Sequence, residues 1–168
     1  MCLTLTIMRL KMTKQYTYLL FAFFLFSCFS LNANEEKKEI HWLINYEEAI
    51  ELSRTEEKPV FMLFTGSDWC GWCMKLESEV FASDAFRDAM ADTFVFLKLD
   101  FPRKIQQTPE IKKQNKRLMR EYPVRGFPTV ILLNSKNQQI GSTGYKRGGG
   151  AAYVEHIQKM MSEPKSDA

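Results

Sequence analysis

Two cysteines three positions apart, Cys70 and Cys73, carry the chemistry this chain can be expected to do. They sit in Thr65-Gly66-Ser67-Asp68-Trp69-Cys70-Gly71-Trp72-Cys73, directly after the apolar run at 60–64. At a helix start this spacing lets a disulfide close across one turn, with the first sulfur at the exposed tip and the second facing inward. Backbone N–H groups left unpaired at such a start stabilise a thiolate and lower its pKa from the free value of about 8.5. Cys70 is therefore the expected nucleophile. It would form a mixed disulfide with a substrate, and Cys73 would resolve it, leaving Cys70 and Cys73 oxidised to a disulfide.

Two other readings compete for the pair: half of a tetrahedral zinc site, or an inert buried pair. Zinc needs two further strong ligands. Beyond residue 33 the chain has no other cysteine and only His41 and His156, and no second ligand pair is recognisable. Gly71 and two tryptophans beside the cysteines argue against an inert pair. No metal and no cofactor is expected beyond the redox-active pair itself. The glycines at 148–150 do not form a dinucleotide fingerprint after a strand.

The elements that must position the pair alternate along the chain. A helix is expected from His41 to about Arg54, ended by Glu56-Glu57-Lys58-Pro59. Residues 60–64, 94–97 and 130–133 are short continuous apolar runs, as in strands buried on both faces. A helix should start at the cysteines, with Leu76 and Val80 continuing the face of Cys73, and Ser83-Asp84 should cap another through Met90. Thr108-Pro109-Glu110 is a helix start, with Ile111, Asn115, Leu118 and Tyr122 facing inward. A polar strand near 138–141 and a final helix marked by Tyr153, Val154, Ile157, Met160 and Met161 complete the order. The alternation favours a mainly parallel sheet covered on both faces, with an antiparallel hairpin at one edge.

Composition narrows the function classes. Of 168 residues 45% are hydrophobic, and 13 phenylalanines argue for a packed core rather than disorder. The first 33 residues hold three of the 23 basic side chains, Arg9, Lys11 and Lys14, and none of the 20 acids. The remainder is thus neutral, which gives no reason to expect nucleic-acid binding. Those 33 residues have a basic start, an apolar stretch and a small residue before a polar run, the three parts of a secretory signal peptide. Cleavage is expected after Ala33; an uncleaved anchor and lipid attachment at Cys28 are the alternatives. Removal of 1–33 takes Cys2 and Cys28 with it, so an exported domain is left without a structural disulfide framework. The basic run Arg103, Lys104, Lys112, Lys113, Lys116, Arg117, Arg120 and Arg125 is read as a solvated face, with docking of an acidic partner as the alternative.

The buried strand, Trp69-Cys70-Gly71-Trp72-Cys73 and the later Gly126-Phe127-Pro128-Thr129 resemble the thioredoxin superfamily over roughly residues 40–162. The resemblance implies an α/β thioredoxin fold: a central mixed sheet with helices on both faces, here with an N-terminal helical extension, occupying 34–168 with a short polar tail at 162–168. It also implies that Pro128 is cis, lies against the cysteines and shapes a substrate groove in which the backbone of Phe127 pairs with an extended segment. Trp69, Gly71 and Trp72 join Phe127 and Pro128 as supporting residues; the two tryptophans serve either as an apolar rim or as packing. The Gly-Ser-Asp-Trp-Cys-Gly-Trp-Cys run and the helix before it are most similar to DsbH-type periplasmic disulfide reductases of chlamydiae. That similarity implies a periplasmic reductase of disulfides in exported proteins or small molecules, recharged by a membrane thiol donor of the DsbD type. A monomer is expected.

The chain departs from ordinary thioredoxins at three places. Trp72 stands where proline is usual, and Phe64 where a buried aspartate is common. Lys98 matches the family's lysine but lacks its usual acidic partner, so the group accepting the proton of Cys73 is open among Lys98, Asp68 and water. With only Gly71 and Trp72 between the cysteines, no charged group or strong donor stabilises the Cys70 thiolate from within the motif. This disfavours an oxidant and favours an electron donor. A thiol oxidase or isomerase on the same fold, and a non-catalytic binding module, are the alternatives.

Overall fold

The computed structural model describes residues 38–163, so the signal at 1–33, Cys28 and the last residues of the polar tail lie outside the described residues. Strand β1 (Trp42–Leu43) leads into helix α1 (Tyr46–Thr55), followed by β2 (Val60–Thr65) and α2 (Gly71–Leu76), which runs on as a π-helical turn over Glu77–Phe81. Helix α3 (Asp84–Met90), β3 (Val95–Asp100), α4 (Pro109–Glu121), β4 (Thr129–Leu133), β5 (Gln139–Thr143) and α5 (Gly149–Ser162) complete the order. The expected caps form: Ser83 accepts from the Phe86 N–H, and Thr108 from the Ile111 N–H with Pro109 in the first turn.

The five strands form one mixed sheet in the order β1-β3-β2-β4-β5. β2 runs parallel to β3 and antiparallel to β4, and β5 closes the hairpin edge. All six residues of β2 are buried, and their alternation divides the core. Val60, Met62 and Phe64 face α1 and α4, where they meet Ala49, Ile50 and Leu118. Phe61 and Leu63 face α2, α3 and α5, where they meet Leu76, Phe86 and Ile157. The expected mixed sheet with helices on both faces is thus the architecture observed.

The start of the chain differs from expectation. The spacing predicts a single helix over 41–54, but Trp42 and Leu43 form a strand parallel to β3, in register with Phe96 and Leu97. Asn45 then caps α1 by accepting from the Glu48 N–H. The reason is tertiary: in this position the Trp42 ring packs on Phe61, Phe81 and Phe96 at centroid distances of 6.1, 5.4 and 5.1 Å. Periodicity within one segment carries no record of that partner.

Phe61 is the hub of this face, with the rings of Trp42, Phe81, Phe86, Phe94 and Phe96 between 5.1 and 6.1 Å from its own. Truncation to Phe61→Ala leaves a cavity among rigid rings and should cost about 3–5 kcal/mol in urea unfolding. Ile44→Ala, at a site 57% exposed, should change stability by about 0.5 kcal/mol at most. Equal unfolding midpoints for the two variants would contradict this packing.

Candidate active site

Cys70 caps α2 and Cys73 lies in its first turn, so the local chain conformation sets the distance between the sulfurs. The Cys70 backbone is extended, its side chain accepts from the Cys73 N–H at 3.2 Å, and the two residues are joined as a disulfide with their Cα atoms 5.2 Å apart. One feature differs from expectation. Cys70 is not an exposed tip: it is 7% exposed against 4% for Cys73. Gly71 and Trp72 take the outer position instead, with Trp72 54% exposed.

The segment before the cysteines is tied to the loop after β3. The Asp100 carboxylate accepts from the Ser67 N–H at 2.9 Å and the Ser67 hydroxyl at 2.5 Å. Asp68 reaches the other way and accepts backbone N–H groups from Arg103, Lys104 and Ile105 at 2.6–3.3 Å. These donors, that of Arg103 foremost, hold the Asp68 carboxyl below the usual carboxylate range. Trp69 donates its indole N–H to the Phe101 carbonyl at 2.8 Å, and Arg103 lies over its ring at 4.0 Å. Gly66 is needed beneath that indole, because a Cβ there would come within 2.6 Å of the ring.

The Phe127–Pro128 peptide is cis. Phe127 packs on Trp69 at 5.9 Å and stacks on Phe101 at 5.0 Å. On the other side of the cysteines Trp72 lies 5.2 Å from Tyr145, with the Lys75 ammonium 5.5 and 5.7 Å from the two rings. Tyr145 donates to Glu79 at 2.5 Å, which raises its own pKa. The residues singled out in the sequence, Trp69, Gly71, Trp72, Phe127 and Pro128, therefore converge on one end of the sheet with both cysteines.

A family model described as a thioredoxin-like domain matches residues 46–155. The chain belongs to the thioredoxin-like family. It is 35% identical over 117 residues to the disulfide bond reductase DsbH of Chlamydia pneumoniae, covering 70% of each chain. It is 32% identical over 118 residues to the thioredoxin-related protein DsbJ of the same organism, covering 68% of this chain and 34% of that one. A solved DsbH oxidoreductase structure superposes with a TM-score of 0.70 at 34% identity, covering 74% of this chain and 85% of that one. With its disulfide-bonded cysteine pair on this fold, the protein is a thiol-disulfide oxidoreductase of the DsbH and DsbJ kind.

Two features of this thioredoxin-like site differ from what the sequence predicts. Phe64 is fully buried, so an internal acid is absent at its position, yet Lys98 does have an acidic partner: Glu77 lies 3.5 Å from its ammonium. Glu77 sits one turn after Cys73, and the i, i+4 relation to Cys73 was the available signal. Both charged groups and Cys73 line a cavity of about 280 Å³, together with Thr65, Ser67 and Ser78. The second feature is Tyr145, which arrives from the loop after β5 and no local spacing could have linked to Trp72. Asp68, one of three proposed proton acceptors, is instead engaged by three backbone donors. Among the described residues no group of three or more His, Cys, Asp or Glu is placed to hold a metal ion, and no helix is long and apolar enough to cross a membrane.

Asp68→Asn removes the charge that gathers the N–H groups of residues 103–105, and amide exchange there should quicken while the core stays protected. The depressed folded-state pKa of Asp68 also fixes the sign of a pH effect. Its stabilisation is present above the unfolded value of about 3.9 and is lost as pH falls through the lower folded value. The amide resonances of 103–105 should therefore move together only below about pH 4. Movement nearer neutrality would exclude Asp68 as their acceptor.

Proposed function

We propose that this protein is a periplasmic disulfide reductase, with Cys70 as nucleophile and Cys73 as resolving thiol. The observation carrying this reading is the Cys70 sulfur at the start of α2, 3.2 Å from the Cys73 N–H, beside a Gly71-Trp72 turn without charge. One N–H donor favours the thiolate, while no imidazole or cation in the motif adds the further stabilisation that makes a dithiol a strong oxidant. The similarity to a protein named a disulfide bond reductase agrees with this direction. Export to the periplasm rests on the signal pattern of residues 1–33.

The reaction transfers two electrons. The Cys70 thiolate attacks one sulfur of a substrate disulfide, and the other sulfur leaves as a thiolate that takes a proton from solvent. Cys73 then loses its proton and attacks the Cys70 sulfur of the mixed disulfide. The second substrate thiolate leaves, and the Cys70–Cys73 disulfide forms. The ion pair of Glu77 and Lys98 in the cavity beside Cys73 is the acceptor for that proton, with the Glu77 carboxylate taking it and passing it to solvent. Trp69, Gly71, Trp72, Phe127 and Pro128 form the surface on which the substrate lies. Substrates are disulfides of exported proteins or small molecules, no bound cofactor takes part, and a membrane dithiol carrier of the DsbD type restores the reduced pair.

Equilibration with glutathione tests the direction. The potential should lie nearer the about −270 mV of thioredoxin than the about −120 mV of strong periplasmic oxidants, and the reduced protein should reduce insulin. Cys73→Ala should accumulate mixed disulfides with substrates, and Cys70→Ser should form none. An oxidising potential without insulin reduction would favour an oxidase or isomerase; full biological activity in Cys70→Ser would favour a binding module.

Glu77→Gln tests the proton acceptor. Resolution of a preformed mixed disulfide, followed in single turnover, should slow about tenfold near pH 7, less than the about hundredfold low end of general-base effects because solvent can also accept this proton. The defect should vanish at alkaline pH, where Cys73 ionises unaided. A deficit independent of pH would assign Glu77 a structural role only.

A further inference from the structure

The four segments around the disulfide carry a net positive charge that the remainder of the chain beyond residue 33, taken together, does not share. They are residues 66–75, which hold the cysteines, residues 100–107, tied to Asp68 and Trp69, residues 125–128, whose Phe127 touches Trp69, and residues 144–148, whose Tyr145 touches Trp72. The last two segments also meet directly, since a Cβ on Gly144 would come within 3.0 Å of the Pro128 carbonyl. Together they hold Lys75, Arg103, Lys104, Arg125, Lys146 and Arg147 against Asp68 and Asp100, a net charge of +4. Beyond residue 33 the whole chain has 20 basic and 20 acidic side chains, so everything outside this rim carries −4. Adding the neighbouring Glu77, Glu79 and Lys98 still leaves the rim at +3.

Geometry sharpens the asymmetry. Each tryptophan flanking Cys70 in sequence carries a cation over its ring, Arg103 on Trp69 at 4.0 Å and Lys75 on Trp72 at 5.5 Å. Lys75 has Glu79 at 3.5 Å. The Arg103 guanidinium pairs with no carboxylate among the described residues. The two rim acids are turned to internal work: Asp68 accepts from three backbone N–H groups and Asp100 from Ser67. The cations are thus the charged groups left to meet an incoming molecule.

We infer that the site selects disulfides flanked by carboxylates. This deepens the proposed reductase reading and rests on it. The balance of the reaction is unchanged: the dithiol is oxidised to Cys70–Cys73, and the anionic disulfide is reduced to two thiols. The cations act on encounter and on the bound mixed disulfide, where a carboxylate beside the attacked sulfur meets the field of Arg103 over Trp69 and Lys75 over Trp72. A ring of one charge sign around a cleft raises association rates by about ten- to a thousandfold at low salt. That gain decays as the Debye length shrinks from about 10 Å at 0.1 M to about 3 Å at 1 M.

The test uses the reduced protein and three small disulfides of similar length: dithiodipropionate with two carboxylates, hydroxyethyl disulfide with no charge, and cystamine with two ammonium groups. Each rate is divided by that of dithiothreitol with the same disulfide, because leaving-group pKa alone alters exchange rates. At low salt the normalised order should be anionic, neutral, cationic, with about tenfold between the extremes, falling to about twofold or less near 1 M salt. Lys75→Glu combined with Arg103→Glu should erase or reverse the order. Arg54→Glu with Lys136→Glu makes the same change in net charge at the other end of the sheet, where β2 begins opposite the end of β4, and should preserve it. Cystine peptides flanked by Asp or by Lys repeat the comparison at polypeptide scale. Preference for the acidic member in either series supports the inference and tells small from polypeptide substrates. Equal normalised rates in both series, or preference for the cationic members, overturn it while leaving the reductase reading intact. Failure to reduce any of these disulfides removes that reading itself.

Discussion

The Cys73 N–H donating to the Cys70 sulfur is the contact on which the rest of the site depends. It exists because Cys70 is the cap of α2, with extended backbone, while Cys73 already has helical geometry. That step in backbone conformation brings the two side chains together across one turn. It also means that whatever holds the start of α2 holds the chemistry. The fully buried strand β2 delivers the chain to this point, and the clamp formed by Asp68, Trp69 and Asp100 prevents the intervening residues from adjusting independently of the loop after β3.

The acids near the cysteines lie at the edge of the site rather than in its core. A buried carboxylate beneath the cysteines would carry a desolvation cost, and this chain has Phe64 in the core there instead. The acid reaches Lys98 from the helix, through Glu77, whose side chain remains half exposed. Lys98 is directed toward this face by the alternation of β3, whose Phe96 lies in the aromatic core on the same side. It is further held by the face of Trp42 at 4.8 Å. The short strand β1 thus contributes to the surroundings of the active pair as well as to the core.

The aromatic residues divide into two sets with different work. Phe61 and its neighbours pack ring against ring in the core between the sheet and helices α2 and α3. Trp69, Phe101, Phe127, Trp72 and Tyr145 form a partly exposed set around the disulfide. Their quadrupoles hold cations over the ring faces, so an apolar surface and a positive field occupy the same place. This coincidence gives the site a chemical preference that neither the cysteines nor the fold would supply.

Sequence alone determined the disulfide-forming cysteine pair, its place after a buried strand, the second motif at Phe127 and Pro128, and nearly every helix and strand. These are local properties: a cap residue, an apolar run and a two-residue spacing each act within a few positions of themselves. Tertiary structure decided what those elements meet. The strand at Trp42 exists through its pairing with β3, Cys70 is buried where its local position predicts an exposed tip, and Asp68 became a backbone acceptor because residues 103–105 were brought to it. Glu77 became the partner of Lys98, and Tyr145 the partner of Trp72, only when separate elements packed together. Contacts between residues tens of positions apart leave no mark on local spacing, because their free energy is realised only once the sheet has set their distance.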